Sequence, residues 1–183
     1  MLLNRSLFIN GFKVINGFSD TLTPLLGAVG AEAGATGWWS NLRMFSLDRF
    51  SIMPGMARQP IPRYLSTALM NRITFSEKDS ISTFVPAIIN DLAHDADYAD
   101  GEMPDRTGEA LQSWEAIQKL NELIVDRDIR ISLQKAMSLI EQAQSVYAAI
   151  GNADIALDRK SRADHLPAMQ EGLKTFKELA GLE

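Results

Sequence analysis

The residues best equipped for chemistry lie in one run, "HDADYADGE" at 94–102, where His94, Asp95, Asp97, Asp100 and Glu102 place one imidazole and four carboxylates within nine positions. Divalent cations take oxygen ligands of this kind. The spacing does not build a calcium loop, because Ala99 falls where the third acid belongs and Gly101 arrives one residue late. The run reads as an acidic, solvated connector, and no metal site is assigned to it.

A second constellation interleaves arginine with aromatics: Trp38, Trp39, Arg43, Phe45, Arg49, Phe50, Arg58, Arg63 and Tyr64. Arginine offers a planar fork to phosphates and aromatics offer a stacking face to bases, so a single-stranded nucleic acid is one partner that chemistry allows. The same composition marks protein–protein hot spots. With a net charge of −5 and a pI near 5.1, the chain as a whole repels phosphates, which ranks a partner protein above nucleic acid.

Other chemistries are missing. The chain has no cysteine, which removes disulfides, thiolate zinc sites and cysteine nucleophiles. "GAVGAEAG" is rich in glycine but lacks the spacing of a dinucleotide fingerprint, and no phosphate-binding loop or Gly-x-Ser-x-Gly elbow is present. Only His94 and His165 offer imidazole, and His165 beside Asp164 reads as a first-turn residue of a helix. No catalytic residue and no cofactor site is expected. The opening residues carry no secretory pattern, so the expected location is cytoplasmic, or inside a virus particle assembled there. "LTPLLGAVGAEAGATGWW" approaches the length of a membrane span, but Glu32 sits in its middle; a span is not expected, and peripheral membrane contact remains an alternative.

These residues must be positioned by elements whose apolar spacing is helical. From Ile129 the apolar positions run Leu133, Ala136, Ile140, Ala143, Tyr147 and Ile150 in alternating steps of four and three, a packing seam ended by Gly151-Asn152. Alanines on that seam permit close approach to a companion helix, within the chain or on another copy. Leu166, Met169, Leu173, Phe176 and Ala180 repeat the pattern behind Asp164 as N-cap, and Leu111, Trp114, Ile117, Leu120 and Ile124 form a stripe capped by Asp105 or Thr107. A fourth helix is expected from Thr83 or Phe84, with Ile81, Val85, Ile88, Ile89 and Leu92 on its apolar face.

Towards the N-terminus the signals weaken. "FINGFKVINGF" at 8–18 contains two Asn-Gly pairs, and a helix running through them to Leu22 accounts for more residues than two tight turns. Thr23 and Pro24 suit an N-cap and a first helical residue. Pro54, Pro60 and Pro62 break any helix across 54–62 and point to an extended arm, with helix returning over "PRYLSTALMNRITF".

The expected architecture is mainly α: an N-terminal peripheral portion over 1–78, with its basic, aromatic, proline-containing arm, and a C-terminal antiparallel helical bundle over 79–183. Charge divides along the chain as well. Residues 1–75 carry seven Lys and Arg against three acids, and residues 76–183 carry eleven against twenty. Such complementarity suits contact within one molecule or between copies. The expectation for function is a non-enzymatic structural or assembly subunit of a homo-oligomeric particle, a virion shell or another virus structural protein being one setting, with further subunits as partners. The alternative is a helical adaptor or regulator that binds nucleic acid or a partner protein through the Arg/aromatic arm.

Overall fold

The computed structural model describes residues 1–37, 47, 61–98 and 103–182, and these are mostly helical. The elements are α1 (Leu2–Ile9), β1 (Ile15–Gly17), α2 (Thr23–Ala28), β2 (Ala33–Ala35), β3 (Arg63–Ser66), β4 (Asn71–Thr74), α3 (Phe75–Phe84), α4 (Arg106–Ile124), α5 (Ile129–Asn152) and α6 (His165–Leu179). Short 3-10 turns at Asp20–Leu22, Pro86–Ile88, Ala93–Tyr98 and Arg159–Ser161 connect them.

Helix α5 organises the main core. Leu133, Ala136, Ile140 and Ala143 are buried against Leu120 and Ile124 of α4, against Leu166, Leu173 and Phe176 of α6, and against Leu25 and Ala28 of α2. Ala136 and Ala143 are fully buried, which lets the helices approach closely. Ile150 turns into a second cluster with Tyr64, Ile73, Ile81 and Tyr98; Ile129 and Tyr147 are partly buried at the margins. The seam is thus spent inside its own chain. Helix α5 ends at Asn152, where the stop was expected, but the left-handed residue is Asp154 (φ 56), with Gly151 and Asn152 still helical.

Helix α4 is rotated from its expected stripe. Asp105 caps it, accepting the Gly108 N–H at 2.7 Å, but Trp114 is exposed and Leu111 half-buried, while Gln112, Ser113 and Ala116 are fully buried. Gln112 faces inward because the Leu65 backbone and Asp95 wait there as hydrogen-bond partners, an effect that apolar spacing does not register, whereas the buried Ser113 hydroxyl finds none among the described residues. Helix α6 buries Leu166, Met169, Leu173 and Phe176 as its periodicity requires, although Asp164 makes no side-chain cap bond.

Four further expectations are corrected. The helix expected from 8 to 22 is two elements: α1 ends at Ile9, Gly11 (φ 80) reverses the chain with Gly11 N–H bonded to Phe8 O, and Asn16-Gly17 lies in strand β1. The first Asn-Gly stops a helix and the second is strand. The helix expected after Pro62 is an antiparallel hairpin, β3 pairing with β4 in the register Arg63↔Thr74 to Ser66↔Asn71. The helix expected to begin near Thr83 instead ends at Phe84. It starts at Phe75 because Thr74 and Glu77 form a capping box, and the chain before Pro86 leaves the helix. Thr23 likewise lies inside α2, whose N-cap is Leu22, with Pro24 in its first turn.

Candidate interaction surface

The two small sheets treat their free edges in opposite ways. In the β3–β4 hairpin, Arg63 O and both backbone groups of Leu65, on the outward edge of β3, are met by side chains. Tyr98 Oη donates to Arg63 O at 2.8 Å. Gln112 Oε1 accepts the Leu65 N–H at 3.1 Å, and its Nε2 donates back to Leu65 O at 2.9 Å, so one buried amide imitates a neighbouring strand. Asn90 completes the edge: Nδ2 donates to Leu65 O at 2.7 Å and Oδ1 accepts from Thr67 N–H at 2.7 Å. Tyr64 locks Asn90 in turn, its hydroxyl accepting the Asn90 N–H at 2.8 Å and donating to Asp95 at 2.9 Å. Burial, ahead of the nearby Asp95 charge, pushes the Tyr64 phenol far up, so it stays neutral.

The hairpin's other flank is fastened by Glu77. Its Oε2 accepts from Thr74 N–H at 2.7 Å and from Ser161 Oγ at 2.6 Å, and its Oε1 accepts the Asp158 N–H. Burial raises this carboxyl, but the bonds from Ser161, Thr74 and Asp158 outweigh it and hold the group below its ordinary 4.5. Arg63 spans the same junction, with Nη2 on Asp158 at 2.6 Å and Nη1 on Ser161 Oγ at 3.1 Å.

Strands β1 and β2 present the contrast. They run parallel in the register Ile15↔Ala33 to Gly17↔Ala35, a two-stranded sheet. Parallel sheets are ordinarily covered on both faces, because the crossover helices that join their strands pack there, and two strands alone are marginally stable. Here Ile15 is 71% exposed, and Ala33, Gly34 and Ala35 are exposed throughout. Val14 O accepts the Ala33 N–H and Phe18 N–H donates to Ala35 O, so the intervening Ile15 and Gly17 turn their backbone groups to the opposite edge. Among the described residues no side chain comes to that edge, and a Cβ placed on Gly17 would meet nothing within 4 Å.

The segment that contains β1 is rich in exposed apolar side chains. Leu2, Leu3, Phe8, Ile9, Phe12, Ile15, Phe18 and Leu22 are all exposed, eight large hydrophobic side chains within residues 2–22. Phe18 is held at φ 56 and Asp20 at φ 43; the left-handed conformation is one that Asp tolerates and that is uncommon for a bulky Phe. Beside β2 a groove of about 610 Å³ opens between α2 and α4, floored by the small residues of 31–37 and walled by Trp114 and Ile117. Asp20 anchors this lobe to the hairpin through Arg72 at 2.6 Å.

Of the sequence-derived interaction residues, Trp38, Trp39, Arg43, Phe45, Arg49, Phe50 and Arg58 lie outside the described residues. Arg63 and Tyr64 share β3, Arg63 engaged with Asp158 and Tyr64 fully buried. In the acidic run, Asp95 turns inward to Tyr64 and Gln112, while His94 pairs with Asp97 at 3.1 Å near the surface. Among the described residues no three His, Asp or Glu side chains converge to hold a metal ion, and no helix is long and apolar enough to cross a membrane. The apolar lobe at 2–22 was legible only as a run of large hydrophobics, since a helix through 8–22 would have buried one face of it.

No protein-family model matches the chain, and comparison with curated proteins and with solved structures finds no significant relative.

Proposed function

We propose that this chain is a structural assembly subunit, a protein that holds neighbouring chains together in a homo-oligomeric particle and does not turn over a substrate. One observation carries the reading: a two-stranded parallel sheet whose β1 edge stands open among the described residues, within a segment, residues 2–22, that exposes eight large hydrophobics. A fully open side chain of this size presents roughly 150–200 Å², so the eight leave on the order of 800 Å². That sum is on the scale of the about 800 Å² that one side of a standard protein–protein interface takes. Elsewhere among the described residues the β3 edge is met by side chains and α3, α4 and α5 are capped by Thr74, Asp105 and Asp128, so the open lobe reads as a surface kept for a partner. A shell, virion or other, is the kind of particle this describes.

The test is the mass of the full chain in solution by size-exclusion chromatography with light scattering, at low and high salt and across a wide concentration range. Apolar association predicts a multiple of the 20.2 kDa chain mass that persists or strengthens at high salt. A monomer under all conditions overturns the proposal.

A further inference from the structure

We infer that two copies of this chain join edge to edge at β1, their strands antiparallel about a two-fold axis at Asn16, so that two two-stranded sheets merge into one of four strands. The inference rests on the assembly reading above and names its surface and its occupant. The edge itself supplies the geometry. Ile15 and Gly17 direct their N–H and C=O groups away from β2, so in antiparallel self-pairing Ile15 faces the second copy's Gly17 and Gly17 faces the second copy's Ile15. Each such pair exchanges two hydrogen bonds, and Asn16 meets its own counterpart at the close, non-hydrogen-bonded position. Gly17 leaves room for the approach, having nothing within 4 Å of where its Cβ would be. The merged sheet escapes the marginal stability of two strands.

Charge and area select the occupant. Residues 1–37 contain two cations, Arg5 and Lys13, and two acids, Asp20 and Glu32, so the lobe is neutral. Lys13 is neutralised by Glu32 at 3.1 Å, so the charge most often used to guard a strand edge is tied back towards β2. Residues 76–183 carry an excess of nine acids over bases, and copies meeting through them would repel. A neutral, apolar, self-complementary lobe is where two identical acidic molecules can meet without that cost. The on the order of 800 Å² it offers is what each partner of a standard dimer interface contributes. Phe12 and Phe18, exposed on either side of β1 in the sequence, are the large side chains available to close over the joined strands.

The experiment uses the full chain and exploits its lack of cysteine. A single Asn16→Cys substitution is oxidised mildly, and a single Leu179→Cys, at another exposed apolar site, serves as control. Facing Cα atoms at a non-hydrogen-bonded antiparallel pair lie about 4.5 Å apart, within disulfide reach. In parallel, the association of a Phe12→Asp, Ile15→Asp double variant is compared with that of Leu179→Asp by light scattering, with circular dichroism reporting the fold of each. The expected result is a cross-linked dimer for Cys at 16 and not at 179, together with at least about a 100-fold weaker association of the double variant alone. Association that survives in the double variant, without cross-linking at 16, overturns the edge pairing and leaves the assembly reading standing. A wild-type chain that is monomeric throughout overturns both. If the double variant fails to fold, the cross-link decides the matter by itself.

Discussion

Glu77 and Ser161, 84 residues apart, are joined by a hydrogen bond of 2.6 Å from the Ser161 hydroxyl to the same carboxylate oxygen that closes the capping box of α3. One side chain therefore starts a helix and fixes the turn that leads into α6. Glu77→Gln keeps the shape but forfeits the charge-assisted bonds, and is expected to cost about 1–3 kcal/mol at neutral pH. Because the folded carboxyl titrates below its ordinary 4.5, its contribution is complete above that value and is lost as pH falls through the lower folded value. Urea denaturation of both proteins between pH 7 and pH 3 checks the sign: the gap between them should narrow on acidification. A constant gap would show that the ionised form is not what stabilises.

Gln112 replaces a strand for Leu65, and its removal orphans a buried N–H and reduces the bonds to a buried C=O. Gln112→Ala is expected to destabilise by about 2–4 kcal/mol, combining unmet backbone groups with a cavity. Amide exchange at Leu65 should quicken well beyond the global change, since its N–H loses its acceptor. Unaltered exchange there would contradict the edge-sealing role.

The glycines of the parallel sheet should respond in opposite ways. A Cβ on Gly34 would fall 2.2 Å from Thr23 Cγ2, whereas one on Gly17 meets open space. Gly34→Ala is expected to cost about 1–3 kcal/mol, and Gly17→Ala to stay within about 0.5 kcal/mol in the isolated chain. Adding Thr23→Ser, which removes the clashing methyl, should restore much of the Gly34→Ala loss in a double-mutant cycle. Independent, additive effects would place the clash elsewhere.

Tyr147 gives the molecule an alkaline limit. Burial pushes its phenol up to about 12 from 10.0, while its hydroxyl donates to Ser161 O at 2.9 Å and accepts from Asn71 Nδ2 at 3.0 Å. The folded value is raised, so its share of stability is complete below pH 10 and declines as pH rises from there towards 12. Tyr147→Phe should flatten that decline in a comparison of denaturation midpoints between pH 9 and pH 12. An identical slope in both proteins would assign the loss to other groups.

The alanines of the α5 seam lie at zero exposure inside one chain. Ala143→Leu overfills that space and is expected to cost about 1–3 kcal/mol in thermal or chemical denaturation. While folded, the variant should keep the wild-type assembly mass, because the seam is not a contact between copies. A mass change without loss of stability would return the seam to the interface.

The three long C-terminal helices were legible in the sequence because what makes them is local. Ile129 to Ile150 carries a helical apolar period, Asp105 supplies the cap of α4, and α6 repeats the period from Leu166. Burial of those stripes follows from spacing alone, and so the mainly α class was fixed by the chain order of residues. The hairpin was not legible: "RYLSTALMNRIT" contains no turn signature, and its strand edge is completed by Gln112 and Asn90, brought in from 47 and 25 residues away from Leu65. The parallel pairing of 15–17 with 33–35 likewise depends on α2 folding between them. Hydrogen bonds between distant segments leave no period in a sequence, so only the tertiary structure decided which strand edge is sealed and which stands open.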